Sequence, residues 1–165
     1  MKKAVCSGSF DPVTYGHIDI FERASAMFDD IIVGVFHNIR KQPFFSVEER
    51  VALIREATGH IRNLSVHSFS GLLPDYMREV GASVIVRGLR SVTDFEYELQ
   101  QAQMLKHIAP EIETVFILTG QEYYFLSSSG IRELATFHGD VHGLVPECVE
   151  QAMARRVGEL EGVRG

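Results

Sequence analysis

Short apolar segments alternate along this chain with longer segments of helical periodicity, and this alternation restricts the possible folds more than any other feature. Strands are predicted at 3–8, 31–36, 64–69, 82–86 and 113–118. The continuous apolar run at 31–36 is typical of a strand covered on both faces. Helices are predicted at 16–28, 46–57, 72–80, 93–108, 128–134 and 146–160. The pattern predicts an α/β fold, with a five-stranded parallel sheet and helices on both faces.

Two of these helices are predicted to begin with a capping box. In Ser46-Val47-Glu48-Glu49 and in Thr93-Asp94-Phe95-Glu96, a hydroxyl residue stands three positions before a glutamate. Each side chain of such a pair can bond the backbone N–H of the other residue. Pro146 is expected in the first turn of the last helix, where its missing N–H does no harm.

Length and composition indicate a single domain over residues 1–165, with 45% hydrophobic residues and a net charge of -6. Such a charge does not favour non-specific binding to long nucleic acids, which needs many cationic contacts. Cys6 and Cys148 form no CxxC motif, and no apolar run is long enough to span a bilayer. His138 and His142 flank Gly139 and Asp140, which favour a loop, so no metal site is predicted. We expect a cytoplasmic protein that binds neither nucleic acid nor membrane.

Polar loops follow all five predicted strands. They are Gly8 to His17, His37 to Lys41, Ser68 to Leu73, Arg87 to Arg90, and Thr119 to Ser129. Open parallel sheets bind ligands outside the carboxyl ends of their strands. We therefore expect these loops to converge on one site.

The first of these loops is suited to a phosphate group. Gly8 lets the backbone approach an anion, the Ser9 hydroxyl can bond to it, and His17 lies in the first turn of a helix, where N–H groups are unpaired. The alternative is an ordinary strand–turn–helix connection with a surface histidine, and the spacing alone does not separate the two. Neither GxxxxGK[ST] nor GxGxxG is present.

Three other loops carry groups that suit anions. Arg87 and Arg90 can each fork phosphate oxygens, and Lys41 can act as an electrostatic clamp. The serines at 127–129 precede a predicted helix, whose N–H groups would form a second anion cradle. Solvated loop cations and a serine-rich helix cap are the plainer interpretations.

Several motifs together resemble a known family. Thr14-Tyr15-Gly16-His17 matches the [HT]-x-G-H signature of the nucleotidyltransferase superfamily, and Ser127-Ser128-Ser129-Gly130-Ile131-Arg132 resembles its second signature. With Gly8-Ser9-Phe10-Asp11-Pro12, Arg87-Gly88-Leu89-Arg90 and Asp94-Phe95-Glu96-Tyr97-Glu98, the chain resembles the bacterial phosphopantetheine adenylyltransferases. The first signature is shared by the whole superfamily, whereas the combination is far more specific.

The resemblance implies a fold, a reaction and an assembly. The fold would be a Rossmann-like dinucleotide-binding domain, and the enzyme a homohexamer. It would transfer AMP from ATP to 4′-phosphopantetheine, giving dephospho-coenzyme A and pyrophosphate. Mg²⁺ would accompany ATP, and coenzyme A could inhibit by feedback because it shares the pantetheine arm. No general base is needed, since the acceptor phosphate is already an ionised nucleophile.

The same resemblance assigns site residues by position. The catalytic residues would be His17, Lys41 and Arg90. ATP would contact Ser9, Phe10, His17, Gly88, Leu89, Arg90, Glu98, Tyr123, Tyr124, Phe125, Leu126, Ser127, Ser128 and Ser129. The acceptor would contact Ser9, Lys41, Leu73 and Arg87. Cys6 and Ser7 stand where the family usually has an aromatic residue and a proline, a change expected to alter affinity rather than reaction type.

Alternative functions remain open from the residues alone. One is another nucleotidyltransferase, such as a nicotinate-mononucleotide adenylyltransferase or a cytidylyltransferase. The latter normally shows an RTxGISTT-like second signature, where this chain has FLSSSGIR at 125–132. A different class is a non-catalytic module that binds nucleotides or senses coenzyme A. The presence of both His17 and Lys41 argues against a loss of catalysis.

Overall fold

The computed structural model describes residues 1–38 and 42–162, and in this part of the chain five strands alternate with helices. The strands are β1 (Lys3–Gly8), β2 (Asp30–Phe36), β3 (Leu64–Phe69), β4 (Val84–Leu89) and β5 (Glu113–Leu118). The helices are α1 (Tyr15–Met27), α2 (Val47–Ala57), α3 (Leu73–Glu79), α4 (Val92–Ile108), α5 (Ser128–Thr136) and α6 (Glu147–Gly162).

The sheet is parallel throughout, with strand order β3-β2-β1-β4-β5. From β1 the chain builds outward on one side through β2 and β3, and then crosses to the other side for β4 and β5. The switch point therefore lies between β1 and β4. These two strands pair from Ala4 to Cys6, whereas β1 and β2 pair as far as Gly8. The predicted α/β architecture is confirmed.

Helices cover both faces of the sheet, also as predicted. On one face α1, α2, α5 and α6 bury apolar side chains such as Phe21 and Ile54 in a single cluster. On the other face α3 and α4 contribute Met77 and Leu105. No helix within the described ranges has the length and hydropathy needed to cross a membrane.

The end of β4 differs from its sequence-based prediction. We expected the strand to end at Val86 and Arg87 to lie in a loop. Instead β4 continues to Leu89, because residues 87–89 pair with residues 116–118 of β5. Arg87 and Gly88 are therefore held in the rigid sheet rather than in a connecting loop. The other predicted elements agree with the structure to within two residues at each end.

Helix caps were predicted with mixed success. The box at Ser46 is confirmed: the Glu49 N–H donates to the Ser46 hydroxyl at 3.2 Å, and the Ser46 N–H to the Glu49 carboxylate at 2.7 Å. The box at Thr93 is wrong. Ser91 caps α4 instead, since its hydroxyl accepts the N–H of Asp94 at 3.2 Å. Pro146 precedes α6 rather than forming part of its first turn.

Two buried charged residues hold the loop that follows β1. The Asp11 carboxylate accepts the N–H of Phe45 at 2.8 Å, which ties the loop to the segment before α2. The Arg50 guanidinium, on α2, donates to the carbonyl oxygens of Ser9 at 2.7 Å and Phe36 at 3.1 Å. Arg50 is only 3% exposed, so these bonds fix the loop where water competes little.

Candidate active site

A cavity of about 370 Å³ opens at the carboxyl edge of the sheet, at the switch point between β1 and β4. Residues 6–9 line one side of it and residues 86–88 the other. The gap exists because the pairing of β1 with β4 ends at Cys6 and Val86. Ligands of open α/β sheets bind at such switch points.

Most of the predicted site residues line this cavity. They are Ser9, Phe10, His17, Arg87, Gly88, Arg90, Glu98, Leu126, Ser127, Ser128 and Ser129. Five others lie outside its wall: Leu73, Leu89, Tyr123, Tyr124 and Phe125. Lys41 lies outside the described residues. The loops after β1, β4 and β5 thus converge as predicted. None of the described residues in the loops after β2 and β3 lines the cavity, so that part of the prediction is not confirmed.

His17 is fixed in one tautomer by the start of α1. Thr14 is the N-cap, and its backbone N–H donates to Nδ1 of His17 at 3.0 Å. A backbone N–H can only donate, so Nδ1 is the acceptor and the ring proton is assigned to Nε2. Burial of the ring, together with the positive charge of Arg90, lowers the pKa of His17 to about 4. At neutral pH the residue is therefore an uncharged donor through Nε2.

Phe10 packs against the ring of His17. It has a left-handed backbone with φ 48°, which turns its side chain inward. Its ring packs edge-on against His17, with centroids 5.1 Å apart, and against Phe21 at 5.3 Å. A Cβ at Gly8 would lie 3.0 Å from the Phe10 ring. A side chain at position 8 would therefore force this ring to shift by a few tenths of an ångström, a constraint that the sequence pattern did not reveal.

Each arginine of the β4 end is paired with a carboxylate of α4. Arg87 Nε lies 3.4 Å from Glu98 Oε2, and Arg90 Nε donates to Asp94 Oδ2 at 2.9 Å. Asp94 and Glu98 are four residues apart and so share one face of the helix. This spacing lets one face of α4 pair with both arginines.

The two arginines have second partners that differ. Arg87 Nη1 donates to the carbonyl oxygen of Ser7 at 3.0 Å, and Arg90 Nη1 donates to that of Leu126. Glu98 Oε2 is buried and makes no hydrogen bond to a described residue. Its pairing with Arg87 is thus electrostatic and leaves an acceptor atom available.

The start of α5 forms the opposite part of the wall. The Ser127 hydroxyl accepts the N–H of Gly130 at 3.0 Å, and the Ser128 hydroxyl donates to the carbonyl oxygen of Pro12 at 2.8 Å. Both hydroxyls are therefore used within the protein, as the plainer interpretation of the serine cluster expected. The first N–H groups of the helix nevertheless border the cavity, where they favour an anion.

Some wall residues were not assigned from the sequence. Thr119, at the start of the loop after β5, lines the cavity. So does Tyr97, which lies on α4 between Asp94 and Glu98. Cys6 also lines the cavity, and burial raises the pKa of its thiol to about 12, so that it stays protonated. The positions of Thr119 and Tyr97 could have been found from the predicted sheet edge and helix face.

Comparison with known proteins connects this cavity to a family. The family model described as cytidylyltransferase-like matches residues 5–134, which include the whole cavity wall. The phosphopantetheine adenylyltransferase of Shouchella clausii is 52% identical over 93% of this chain and 96% of its own length. That of Alkaliphilus metalliredigens is 53% identical over 94% of this chain and 99% of its own. The chain belongs to the phosphopantetheine adenylyltransferase family.

One further relative agrees with this placement, and a solved structure agrees with the fold. The phosphopantetheine adenylyltransferase of Heliobacterium modesticaldum is 52% identical over 100% of this chain and 97% of its own length. A solved structure of a putative nicotinate-nucleotide adenylyltransferase from Vibrio parahaemolyticus superposes with a TM-score of 0.68 at 16% identity. The superposition covers 93% of this chain and 99% of the solved structure's chain. This match supports the Rossmann-like fold.

The lowered pKa of His17 predicts how stability depends on pH. Its pKa is about 4 in the folded protein against an ordinary 6.5, so the unfolded chain binds the proton more readily. Between pH 6.5 and 4, His17 should therefore destabilise the fold as pH falls, by on the order of 1 kcal/mol per pH unit. Above pH 6.5 it should have no such effect. Urea unfolding of the wild type and of His17→Gln across this range measures the difference.

The glutamine variant should lack this part of the pH dependence, since its side chain does not titrate. NMR titration of the His17 ring gives an independent measurement and should show protonation near pH 4. A midpoint near 6.5, together with parallel stability profiles for the two proteins, would contradict the assignment.

Proposed function

We propose that this chain transfers AMP from ATP to 4′-phosphopantetheine, giving dephospho-coenzyme A and pyrophosphate. The observation that carries the proposal is the neutral His17, held as an Nε2–H donor in a cavity that also contains Arg87 and Arg90. The names of the full-length relatives supply the acceptor, which the geometry of the cavity does not specify.

The reaction requires positioning and charge stabilisation rather than proton removal. An oxygen of the acceptor phosphate attacks the α-phosphorus of ATP, and the bond from that phosphorus to the bridging oxygen breaks as pyrophosphate leaves. A histidine whose pKa is about 4 is a weak base at neutral pH. His17 instead donates a hydrogen bond to the α-phosphate as negative charge grows there. No covalent intermediate with the enzyme is needed.

The two substrates are divided between the sides of the cavity. Arg90 and the N-terminus of α5 face the triphosphate, Arg87 faces the acceptor, and Ser9 contacts both substrates. Leu73 lies outside the cavity wall and is placed at the acceptor by the family resemblance. Lys41 is assigned to the acceptor phosphate and to charge stabilisation from the family resemblance alone. In the free protein Asp94 and Glu98 neutralise the two arginines. Substrate phosphates then exchange for these carboxylates, and the freed Glu98 accepts from a ribose hydroxyl.

Magnesium enters this proposal as part of the MgATP substrate. Within residues 1–38 and 42–162, no three His, Cys, Asp or Glu side chains are grouped so that they could hold a metal ion. The carboxylates of the wall, Asp94 and Glu98, are paired with arginines. Mg²⁺ commonly binds through substrate phosphates and water. It would neutralise phosphate charge, and no side chain of this chain is assigned to it.

The same proposal includes a homohexamer. Tyr97, Met104 and Ile108 are 61%, 62% and 51% exposed, and their spacing of seven and four residues places them on one side of α4. An exposed apolar strip of this kind fits a subunit interface. Coenzyme A inhibition is part of the proposal too, and competition kinetics against 4′-phosphopantetheine test it. A cytoplasmic location stays a prediction from composition.

The substrate assignment predicts a specific pattern of pyrophosphate release. Purified protein with MgATP should release pyrophosphate in the presence of 4′-phosphopantetheine. Nicotinate mononucleotide should give no release, and CTP should not replace ATP. Release with nicotinate mononucleotide would favour another nucleotidyltransferase, and ATP binding without any turnover would favour a nucleotide-sensing module.

His17→Ala should lower kcat by about 10²- to 10³-fold, the size expected for one oxyanion donor. The Kd for ATP should change much less, because the donor acts mainly on charge that develops in the transition state. Steady-state kinetics and ATP titration measure the two effects. His67→Ala, at an exposed position on β3, is the control and should leave both values unchanged. Turnover that survives in His17→Ala would end the catalytic assignment.

The hexamer predicts that charge on the exposed strip of α4 disrupts assembly. Met104→Glu should give smaller species than the wild type, because it places a carboxylate in an apolar interface. Sedimentation velocity measures the masses. Gln103→Glu adds the same charge at the neighbouring exposed position and should remain hexameric. A wild type that sediments as a monomer, or a Met104→Glu variant of unchanged mass, would contradict the proposal.

A further inference from the structure

Two charged side chains of helix α1 form hydrogen bonds with the backbone at the end of β5. The Asp19 carboxylate accepts the backbone N–H of Gly120 at 2.9 Å, across 101 residues of sequence. One turn further along the helix, Arg23 donates to the carbonyl oxygen of Leu118. The residue between these two contacts, Thr119, lines the cavity. The loop after β5 is thus tied to α1 where it begins.

The loop continues from this contact as a succession of turns. The Tyr123 N–H donates to the Gly120 carbonyl at 2.9 Å, and the Leu126 N–H donates to the Tyr123 carbonyl at 2.9 Å. The Leu126 carbonyl in turn accepts from Arg90. The segment therefore directs its N–H end at the carboxylate of Asp19 and its carbonyl end at a guanidinium.

The first turn of α1 also contacts the middle of this loop. The rings of Tyr15 and Tyr123 stack with centroids 6.3 Å apart. A Cβ on Gly16 would lie 3.6 Å from both the Cβ and the carbonyl oxygen of Tyr123, so the backbones of loop and helix are close. The same turn carries His17. The position of the loop relative to His17 therefore depends on contacts with one short stretch of helix.

From these contacts we infer that Asp19 is a positioning residue for nucleotide binding. It holds the 119–126 loop against α1, so that Leu126 and the start of α5 keep a fixed place opposite His17. That the nucleotide is ATP rests on the proposed function. Asp19 also pairs with Arg23 at 3.4 Å, but exposed helical pairs of this kind contribute little. The charge-assisted bond to Gly120 is the contact that orders the loop.

Asp19→Ala tests this role against a matched control. Asp75 pairs with Arg78 within α3 much as Asp19 pairs with Arg23 within α1. Neither carboxylate lines the cavity, but Asp19 accepts from the loop after β5, whereas α3 packs on the other face of the sheet. Asp19→Ala should raise the KM for ATP about tenfold, the size of one lost charge-assisted hydrogen bond. The KM for 4′-phosphopantetheine should stay within about twofold. Asp75→Ala should change neither value, and Asp19→Asn, which keeps an acceptor oxygen, should fall between Asp19→Ala and the wild type.

Hydrogen exchange of the free protein gives a readout that does not depend on activity. The Gly120 amide and the amides of 121–126 should exchange faster in Asp19→Ala, and no faster in Asp75→Ala. If Asp19→Ala does not fold, Asp19→Asn must still show faster exchange at Gly120. Unchanged exchange, or equal increases in KM for both substrates, would overturn the role of Asp19.

The two proposals can fail separately. A wild-type protein that does not adenylylate 4′-phosphopantetheine would refute the proposed function. Titration of ATP in the absence of acceptor, together with the exchange measurement, would still decide the role of Asp19. Wild-type turnover combined with unaltered ATP affinity in Asp19→Ala would refute the positioning role alone.

Discussion

The separation of β1 from β4 beyond the Cys6–Val86 pair is the constraint on which the site depends. β1 is the first strand and lies at the centre of the sheet, with later strands added on both sides. The connection that leaves the carboxyl end of β1 runs to β2, and the one that leaves β4 runs to β5, so the two diverge on either side of the gap. The cavity, the first turn of α1 and the end of β4 all meet at this gap.

Charge in the gap is balanced before any ligand enters. Arg87 and Arg90 would repel one another and would be costly to bury alone. Glu98 and Asp94, one turn apart on α4, neutralise them. In the proposed mechanism, substrate phosphates replace these carboxylates. His17, in contrast, needs no charged partner, because burial lowers its pKa and keeps the ring neutral. The Thr14 N–H occupies Nδ1 and so leaves Nε2 as the donor.

Much of the architecture could be predicted because strands and helices have different apolar periods, as residues 31–36 and 16–28 show. The errors lie where long-range contacts decide. β4 extends beyond the predicted end at Val86, as far as Leu89, because its last residues pair with β5. The residue that caps α4 is Ser91 rather than the predicted Thr93. The role of Gly8 in phosphate approach stays a prediction, and the structure adds that the Phe10 ring packs close to the position of its missing side chain. These contacts form only in the folded chain, and the local sequence pattern does not predict them.

By itself, the sequence determined the alternation of elements, the edge of the sheet where polar loops gather, and the family, because these follow from local periodicity and contiguous motifs. Only the tertiary structure decided the protonation of His17, the carboxylate partner of each arginine, and the tie between Asp19 and Gly120. The bond between Asp19 and Gly120 joins residues 101 positions apart. The arginine pairs are closer in sequence, but they form only because the end of β4 packs beside α4. Burial, charge and hydrogen-bond geometry act through space, and only the folded chain brings those groups together.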